Sequence, residues 1–271
     1  MVSNSLGAPK MAGGRSLRFA VYLFISVAAL SIGGIVALRV HAANVARQAE
    51  RLQTEVLRLK PGVTTLEELR KFVSRSERPA GYAGFDGPVC NESECVASIG
   101  PSAFTQYWGN PIVRRLSVFG VRPADYSAIV WVGDGIVRRA LFGMHYLAAH
   151  DQTFDVTLTL VQRFSSSDLR SSSVSKAHPA FAVCGDALRT QNGIQIGQYL
   201  AVGIATDSTG DRIRLNSACV TSLRGCSDPA ELFQLETTSV PDLIQRGNPP
   251  RCPSENLAWA GDWWPRGTYP K

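Results

Sequence analysis

The stretch FAVYLFISVAALSIGGIVAL occupies residues 19–38 and contains no charged side chain. About twenty apolar residues in a helix are long enough to cross the roughly 30 Å of hydrocarbon in a bilayer. Arg18 and Arg39 bracket the stretch. Its serines and glycines are tolerated in membrane helices, because a serine hydroxyl can bond to a carbonyl of its own helix. The sequence therefore predicts a single N-terminal transmembrane helix at residues 19–38.

A cleaved signal peptide is the alternative interpretation of the same stretch. The tripeptide at residues 40–42 offers small residues where a signal peptidase would cut. The apolar stretch is longer than the roughly 7–15 residues of a signal peptide's hydrophobic core, however, which favours an uncleaved anchor. A buried helix of a soluble protein is a third interpretation, and a lipoprotein is not indicated because no cysteine follows closely.

The composition of the chain limits its general class. It has 271 residues, of which 45% are hydrophobic and 18% charged, and its formal net charge is +6. Such a chain can form one or two cores and is not disordered overall. The positive charges are scattered, without a basic run interleaved with aromatic residues, so we expect no nucleic acid as a partner. They suit solubility and attraction to anionic lipid.

All six cysteines follow the predicted span, which favours an oxidising, extracytoplasmic compartment for that part of the chain. Basic residues are about equally frequent on both sides of the span, so the positive-inside rule alone does not decide the orientation. Short spacing favours two local bridges and leaves the other two cysteines for each other; zinc ligation and unpaired buried thiols are the alternatives. The candidate pairs are Cys90 with Cys95, Cys219 with Cys226, and Cys184 with Cys252.

Residues 1–18 are predicted to form a disordered cytoplasmic arm, and residues 39–60 a helical stalk. Apolar residues recur along the stalk every three or four positions, which favours one amphipathic helix docked on its own domain. A parallel homodimer through the stalk is the alternative, and Gln53 would then point outward from the seam. The stripe consists of Ala42, Val45, Ala49, Leu52, Val56 and Leu59.

A second helix is predicted directly after the stalk, because Gly62 follows a proline and such a pair ends helices. Thr64 and Glu67 have the spacing of a capping box at its start. The pattern Leu59-x-x-Gly62-x-Thr64-x-x-Glu67 resembles the opening of the small outer-membrane-assembly lipoprotein domain, a helix-plus-antiparallel-sheet module. The resemblance is confined to this stretch, since the Gly-x-Pro expected after the helix is absent from residues 74–81, and no function is carried over from it.

From Gly81 onward the sequence predicts β-structure. The dipeptide Asp134-Gly135 lies between two β-rich runs and predicts a hairpin with a type I′ turn, which needs positive φ at both central residues. Residues 154–164 alternate apolar and polar side chains, as is typical of a half-exposed antiparallel strand. The predicted fold class is therefore α+β: after the span, an extracytoplasmic antiparallel sheet with one or two packed amphipathic helices.

The chain after the stalk divides by composition into four predicted segments. They are an α+β extracytoplasmic domain at residues 61–164, a Ser-rich linker or loop at 165–177, a β-rich region at 178–240 and a Pro/Trp-rich tail at 241–271. The tail carries a possible partner contact, because aromatic residues anchor interfaces; packing on the chain's own domain is the alternative. Its tryptophans are Trp259, Trp263 and Trp264.

The sequence contains no nucleophile elbow, phosphate-binding loop or C-x-x-C motif, so it indicates no catalytic, cofactor or metal residue. His145 and His150 lie five residues apart, which suits neither one helix face nor one strand face. Ser-His-Asp chemistry stays open, because its members need not be adjacent in sequence.

We therefore expect an inner-membrane, single-pass protein that acts without its own catalysis as an envelope structural, scaffolding or protein-interaction component. Its expected partners are the lipid bilayer and another envelope protein. The first alternative is an extracytoplasmic ligand-binding or sensing accessory subunit, and the second is a hydrolase. A polar pocket joining His145 or His150 to a carboxylate would favour the hydrolase, whereas a flat or groove-like apolar surface would favour a protein partner.

Overall fold

A computed structural model describes most of the chain. The described residues are 13–76, 89–90, 95–100, 102–103, 110–148, 153–163, 173–174, 181–187, 198–205 and 213–235. The α-helices are α1 (Gly13–Arg58), α2 (Leu66–Ser76), α3 (Pro111–Leu116) and α4 (Ser217–Thr221), with 3₁₀ turns at Ser117–Phe119 and Pro229–Leu232.

The described strands form one large sheet and one small one. In chain order they are β1 (Val89–Cys90), β2 (Cys95–Ile99), β3 (Ser102–Ala103), β4 (Ala124–Gly133), β5 (Ile136–Leu147), β6 (Thr153–Val161), β7 (Ser173–Val174), β8 (Phe181–Ala187), β9 (Gln198–Ala205), β10 (Ile213–Leu215) and β11 (Phe233–Leu235). The large sheet has the order β1-β2-β4-β5-β6-β9-β8-β7, with β3 also paired to β4, and β10 pairs with β11. The long strands β4, β5, β6 and β9 form its centre.

The large sheet is mixed, so the predicted antiparallel sheet is confirmed only in part. Strands β6 and β9 pair in parallel, whereas β4–β5, β5–β6 and β8–β9 are antiparallel. After β6 the chain passes to the far edge at β7, returns through β8, and places β9 between β8 and β6. Apolar alternation is the same in parallel and antiparallel strands, so the sequence pattern did not show this insertion.

Helix α1 runs without a break from Gly13 to Arg58 and contains the whole apolar stretch at residues 19–38. It is long and apolar enough to span a membrane. Large apolar side chains along its N-terminal half are exposed, as in Phe24 and Leu30. The predicted apolar helix is therefore confirmed, and the predicted stalk is its direct continuation.

The C-terminal half of α1 lies on the large sheet. The predicted stripe from Val45 to Leu59 is buried in the core that α1 shares with β4, β5 and β6. This confirms that the helix docks on its own domain, and the apolar face that a homodimer seam would need is occupied by that packing.

Gln53 does not point outward, as it would in the homodimer alternative. It is 1% exposed, and its side-chain oxygen accepts a hydrogen bond from the Leu215 backbone N–H at 2.6 Å. The reason is that α1 contacts β10 as well as the large sheet, so its buried arc is wider than a two-helix seam.

The capping box at the start of α2 is formed by Thr65 and Glu68, one residue after the predicted Thr64 and Glu67. The Thr65 N–H donates to the Glu68 carboxylate at 2.9 Å, and the Glu68 N–H donates to the Thr65 hydroxyl at 3.3 Å. Thr64 has another role, because its hydroxyl accepts a hydrogen bond from the Lys60 N–H at 2.8 Å and closes the turn between the helices.

The predicted β4–β5 hairpin is confirmed, since Asp134 and Gly135 have φ angles of 53° and 73°. Residues 154–161 are not half-exposed, however. Thr157 and Thr159 are 0% exposed although they lie on the polar side of the alternation. Strand β6 is central in the sheet and buried on both faces, which alternation along a single strand does not reveal.

Candidate functional site

The candidate site is a row of three titratable side chains across the centre of the sheet, which we call the acid–histidine row. In the strand register, Asp125 of β4 lies opposite His145 of β5, and His145 lies opposite Asp155 of β6. Their chain neighbours Tyr126 and Tyr146 belong to the core under α1. Because side chains alternate across a strand, the row lies on the other face of the sheet.

A β-bulge in the hairpin sets this alignment. Near the turn, Val132 pairs with Val137, but beyond an irregularity Trp131 pairs with Arg139, so Arg138 is an extra residue on β5. Without this extra residue, the pairing that starts at the turn would place Asp125 opposite Met144. Bulges re-aim side chains in this way. The bulge is the feature that the sequence analysis missed, and it brings His145 to Asp125.

His145 and Asp155 contact each other directly, through the imidazole Nδ1 and a carboxylate oxygen, and their side chains are only 14% and 13% exposed. Burial raises the pKa of Asp125 to about 6, although the nearby His145 charge and the Tyr126 backbone N–H act in the opposite direction. Two carboxylates thus share one imidazole.

An aromatic–cation pair lies on the same face, nearer the hairpin. The Arg139 guanidinium carbon is 3.7 Å from the centre of the Trp131 ring, and the two residues are cross-strand partners. Burial lowers the pKa of the Arg139 guanidinium. This face of the sheet therefore combines buried acids, a histidine and a stacked arginine.

The row can bind a proton at Asp125, whose pKa is raised to about 6. A His–Asp pair is the base-and-orienting-carboxylate part of a catalytic triad. Here both side chains are nearly buried, so a substrate would have little access to them. Within the described part of the chain, no group of three His, Cys, Asp or Glu side chains has an arrangement that could hold a metal ion.

The other candidate residues are placed as follows. Cys219 and Cys226 form the predicted disulfide, with Cα atoms 5.2 Å apart. Cys90 and Cys95 lie opposite each other in the β1–β2 register, and their bridge stays a prediction. Cys184 lies on β8. The residues outside the described part of the chain are His150, Cys252, Trp259, Trp263 and Trp264.

Comparisons of the chain with protein-family models, with curated proteins and with solved structures find no match.

We predict that Asp125→Asn stabilises the protein at pH 7.5 and changes little at pH 3.5. The folded protein binds the Asp125 proton more tightly than the unfolded chain, because its pKa rises from 3.8 to about 6. Stability is therefore lost as the pH rises through that interval, by on the order of 3 kcal/mol for the full shift. Asparagine removes the buried charge and keeps the shape.

The measurement is urea unfolding of the full chain in detergent at both pH values, with Asp228→Asn as the control. Asp228 is exposed and caps a 3₁₀ turn, a role that asparagine also fills. A gain at pH 7.5 that is equal for both variants, or a loss for Asp125→Asn, would contradict the assignment.

Proposed function

We propose that this chain is a single-pass inner-membrane protein whose extracytoplasmic sheet domain is a non-catalytic scaffolding or binding component for another envelope protein. The observation that carries the proposal is the continuity of α1. One helix has an exposed apolar half suited to lipid and a buried half that belongs to the core of the domain.

The continuous helix supports a fixed position of the domain relative to the bilayer. Ile35, Leu38 and Arg39 are already half-buried, so packing on the domain begins at the end of the apolar stretch. From Arg39 to Arg58 the helix is about 29 Å long at 1.5 Å per residue. A binding surface held at a fixed height suits a scaffold, whereas a flexible tether would let the domain search for partners.

The orientation with the domain outside the cytoplasm is supported by cysteine use. The Cys219–Cys226 disulfide lies beyond the span in sequence, and such bonds persist in oxidising compartments. A sensing accessory subunit is the second candidate, and the acid–histidine row favours it, because a buried carboxyl whose pKa is about 6, as at Asp125, can respond to acidity.

The orientation predicts the behaviour of reporters fused after Lys271. An alkaline phosphatase fusion should be active, and a fluorescent protein that fails to mature after export should stay dark. The same reporters fused before Arg18 should give the reverse pattern. A bright C-terminal fluorescent fusion would overturn the orientation.

The scaffolding role predicts that a flexible insert in α1 reduces partner capture. We would insert Gly-Ser-Gly-Ser after Ala43, which lies five residues beyond the apolar stretch and just before the first fully buried residue, Val45, and after Lys10 as a control. Intact cells are cross-linked, the protein is purified from detergent extract, and the captured proteins are quantified. We expect the Ala43 insertion to lose the envelope proteins that the wild type and the Lys10 insertion retain, because the domain no longer has a fixed height.

Two outcomes would contradict that proposal. Equal capture by both insertion variants would show that a fixed height is not needed. If the wild type captures no more envelope protein than an unrelated single-pass protein does, the scaffolding role is contradicted.

A further inference from the structure

We propose that a second part of the domain, beside the point where α1 leaves it, inserts apolar side chains into the headgroup layer of the bilayer and binds anionic lipid. We call it the membrane-proximal surface. The proposal rests on α1 spanning the membrane, which belongs to the proposed function, but not on orientation or on scaffolding. The surface comprises apolar Ile112, Val118, Phe119 and Leu223 and basic Arg115 and Arg224.

The surface lies where the apolar stretch of α1 ends. A Cβ atom added to Gly120 would be 3.5 Å from the Arg39 Nε and 3.2 Å from the Ser222 carbonyl oxygen. Gly120 follows the 3₁₀ turn at Ser117–Phe119, so this turn, the loop at Ser222 and α1 meet at Arg39. Arg39 is the first charged residue after the apolar stretch, which places the junction at the boundary of the hydrocarbon.

Exposed apolar side chains are concentrated on this surface. Outside α1, the described residues expose five large hydrophobic side chains, and four of them belong to it. Val118 is 66% exposed and Leu223 is 56% exposed. The fifth side chain is Val63, 67% exposed, at the opposite end of the docked half of α1. Apolar side chains clustered at one site indicate an interaction surface, whereas single scattered ones do not.

The loop that carries Leu223 is held in place by a buried arginine. Arg122 is 5% exposed, and its guanidinium donates to the carbonyl oxygens of Ser222 and Leu223, each at 2.7 Å. The Cys219–Cys226 disulfide closes the same loop. Because these hydrogen bonds and the disulfide fix the loop backbone, the loop does not have to become ordered when Leu223 binds a partner. This lowers the entropic cost of association.

The charge of the surface favours lipid as its occupant. Arg115 and Arg224 are exposed, and residues 110–124 and 217–226 contain no acidic residue. Apolar side chains inserted at the interface and flanked by arginines are the pattern of interfacial membrane binding. The bilayer is also the partner that α1 already brings to this corner of the domain, whereas a protein would have to be recruited.

The test places a photo-cross-linking benzoylphenylalanine at one position of the full-length protein in nanodiscs of phosphatidylcholine and phosphatidylglycerol. The positions are Leu30 in the apolar stretch, Val118 on the surface, and Val63 as the control of matched exposure. After irradiation, mass spectrometry quantifies lipid adducts on the modified peptide. We expect adducts at Leu30 and Val118 and not at Val63, because Val63 follows the far end of α1, which is about 29 Å from Arg39 along the helix.

Each outcome decides the proposal. Lipid adducts at Leu30 with none at Val118 would overturn the lipid surface and leave the span intact. The same holds if Val118 cross-links only to a second protein molecule. A missing adduct at Leu30 would show that α1 does not span the bilayer, so the proposed function and the lipid surface would fail together.

The basic residues are tested by lipid selectivity in the same nanodiscs. The double variant Arg115→Gln/Arg224→Gln should reduce the enrichment of phosphatidylglycerol over phosphatidylcholine in the Val118 adducts by about fivefold or more, since each arginine near an anionic surface contributes about that factor. The control variant Arg58→Gln/Arg70→Gln, exposed at the far end, should leave it unchanged. Equal enrichment in both variants would refute specific binding of anionic lipid.

Discussion

The packing of the C-terminal half of α1 onto the sheet is the interaction on which the rest of the structure depends. Val45, Leu52 and Val56 are each nearly fully buried there, and burying one such side chain contributes about 1.5–3 kcal/mol. The same helix carries the apolar stretch, so a hinge between the two halves would have to break this core or the helix itself. The domain and the apolar stretch therefore share one rigid element, and the proposed membrane-proximal surface is positioned by it.

Local patterns predicted the parts of the fold that depend on neighbours in sequence. The stripe on α1, the Asp134-Gly135 turn and the Cys219–Cys226 disulfide are set by helical period, by positive φ and by short spacing. The missed features depend on contacts between distant segments. Gln53 is buried because β10 passes beside α1, and β6 is central in the sheet because β9 enters next to it.

The acid–histidine row shows why the site was the hardest part to predict. His145 was considered with His150, its neighbour in sequence, whereas its partners Asp125 and Asp155 lie on two other strands. The alignment with Asp125 needs one extra residue in β5, and a one-residue shift moves every side chain to the opposite face. Hairpin counting without a bulge would therefore have placed His145 away from Asp125, whereas the pairing of His145 with Asp155 does not depend on the bulge.

Hydrogen exchange of the full chain in nanodiscs tests the continuous helix most directly. Backbone amides of residues 39–58 lie outside the apolar stretch, where water is present, so slow exchange there requires intact helical hydrogen bonds and packing. The account predicts exchange at residues 39–44 as slow as in β5 at the centre of the sheet. Fast exchange confined to residues 39–44, with slow exchange on both sides, would show a hinge and contradict it.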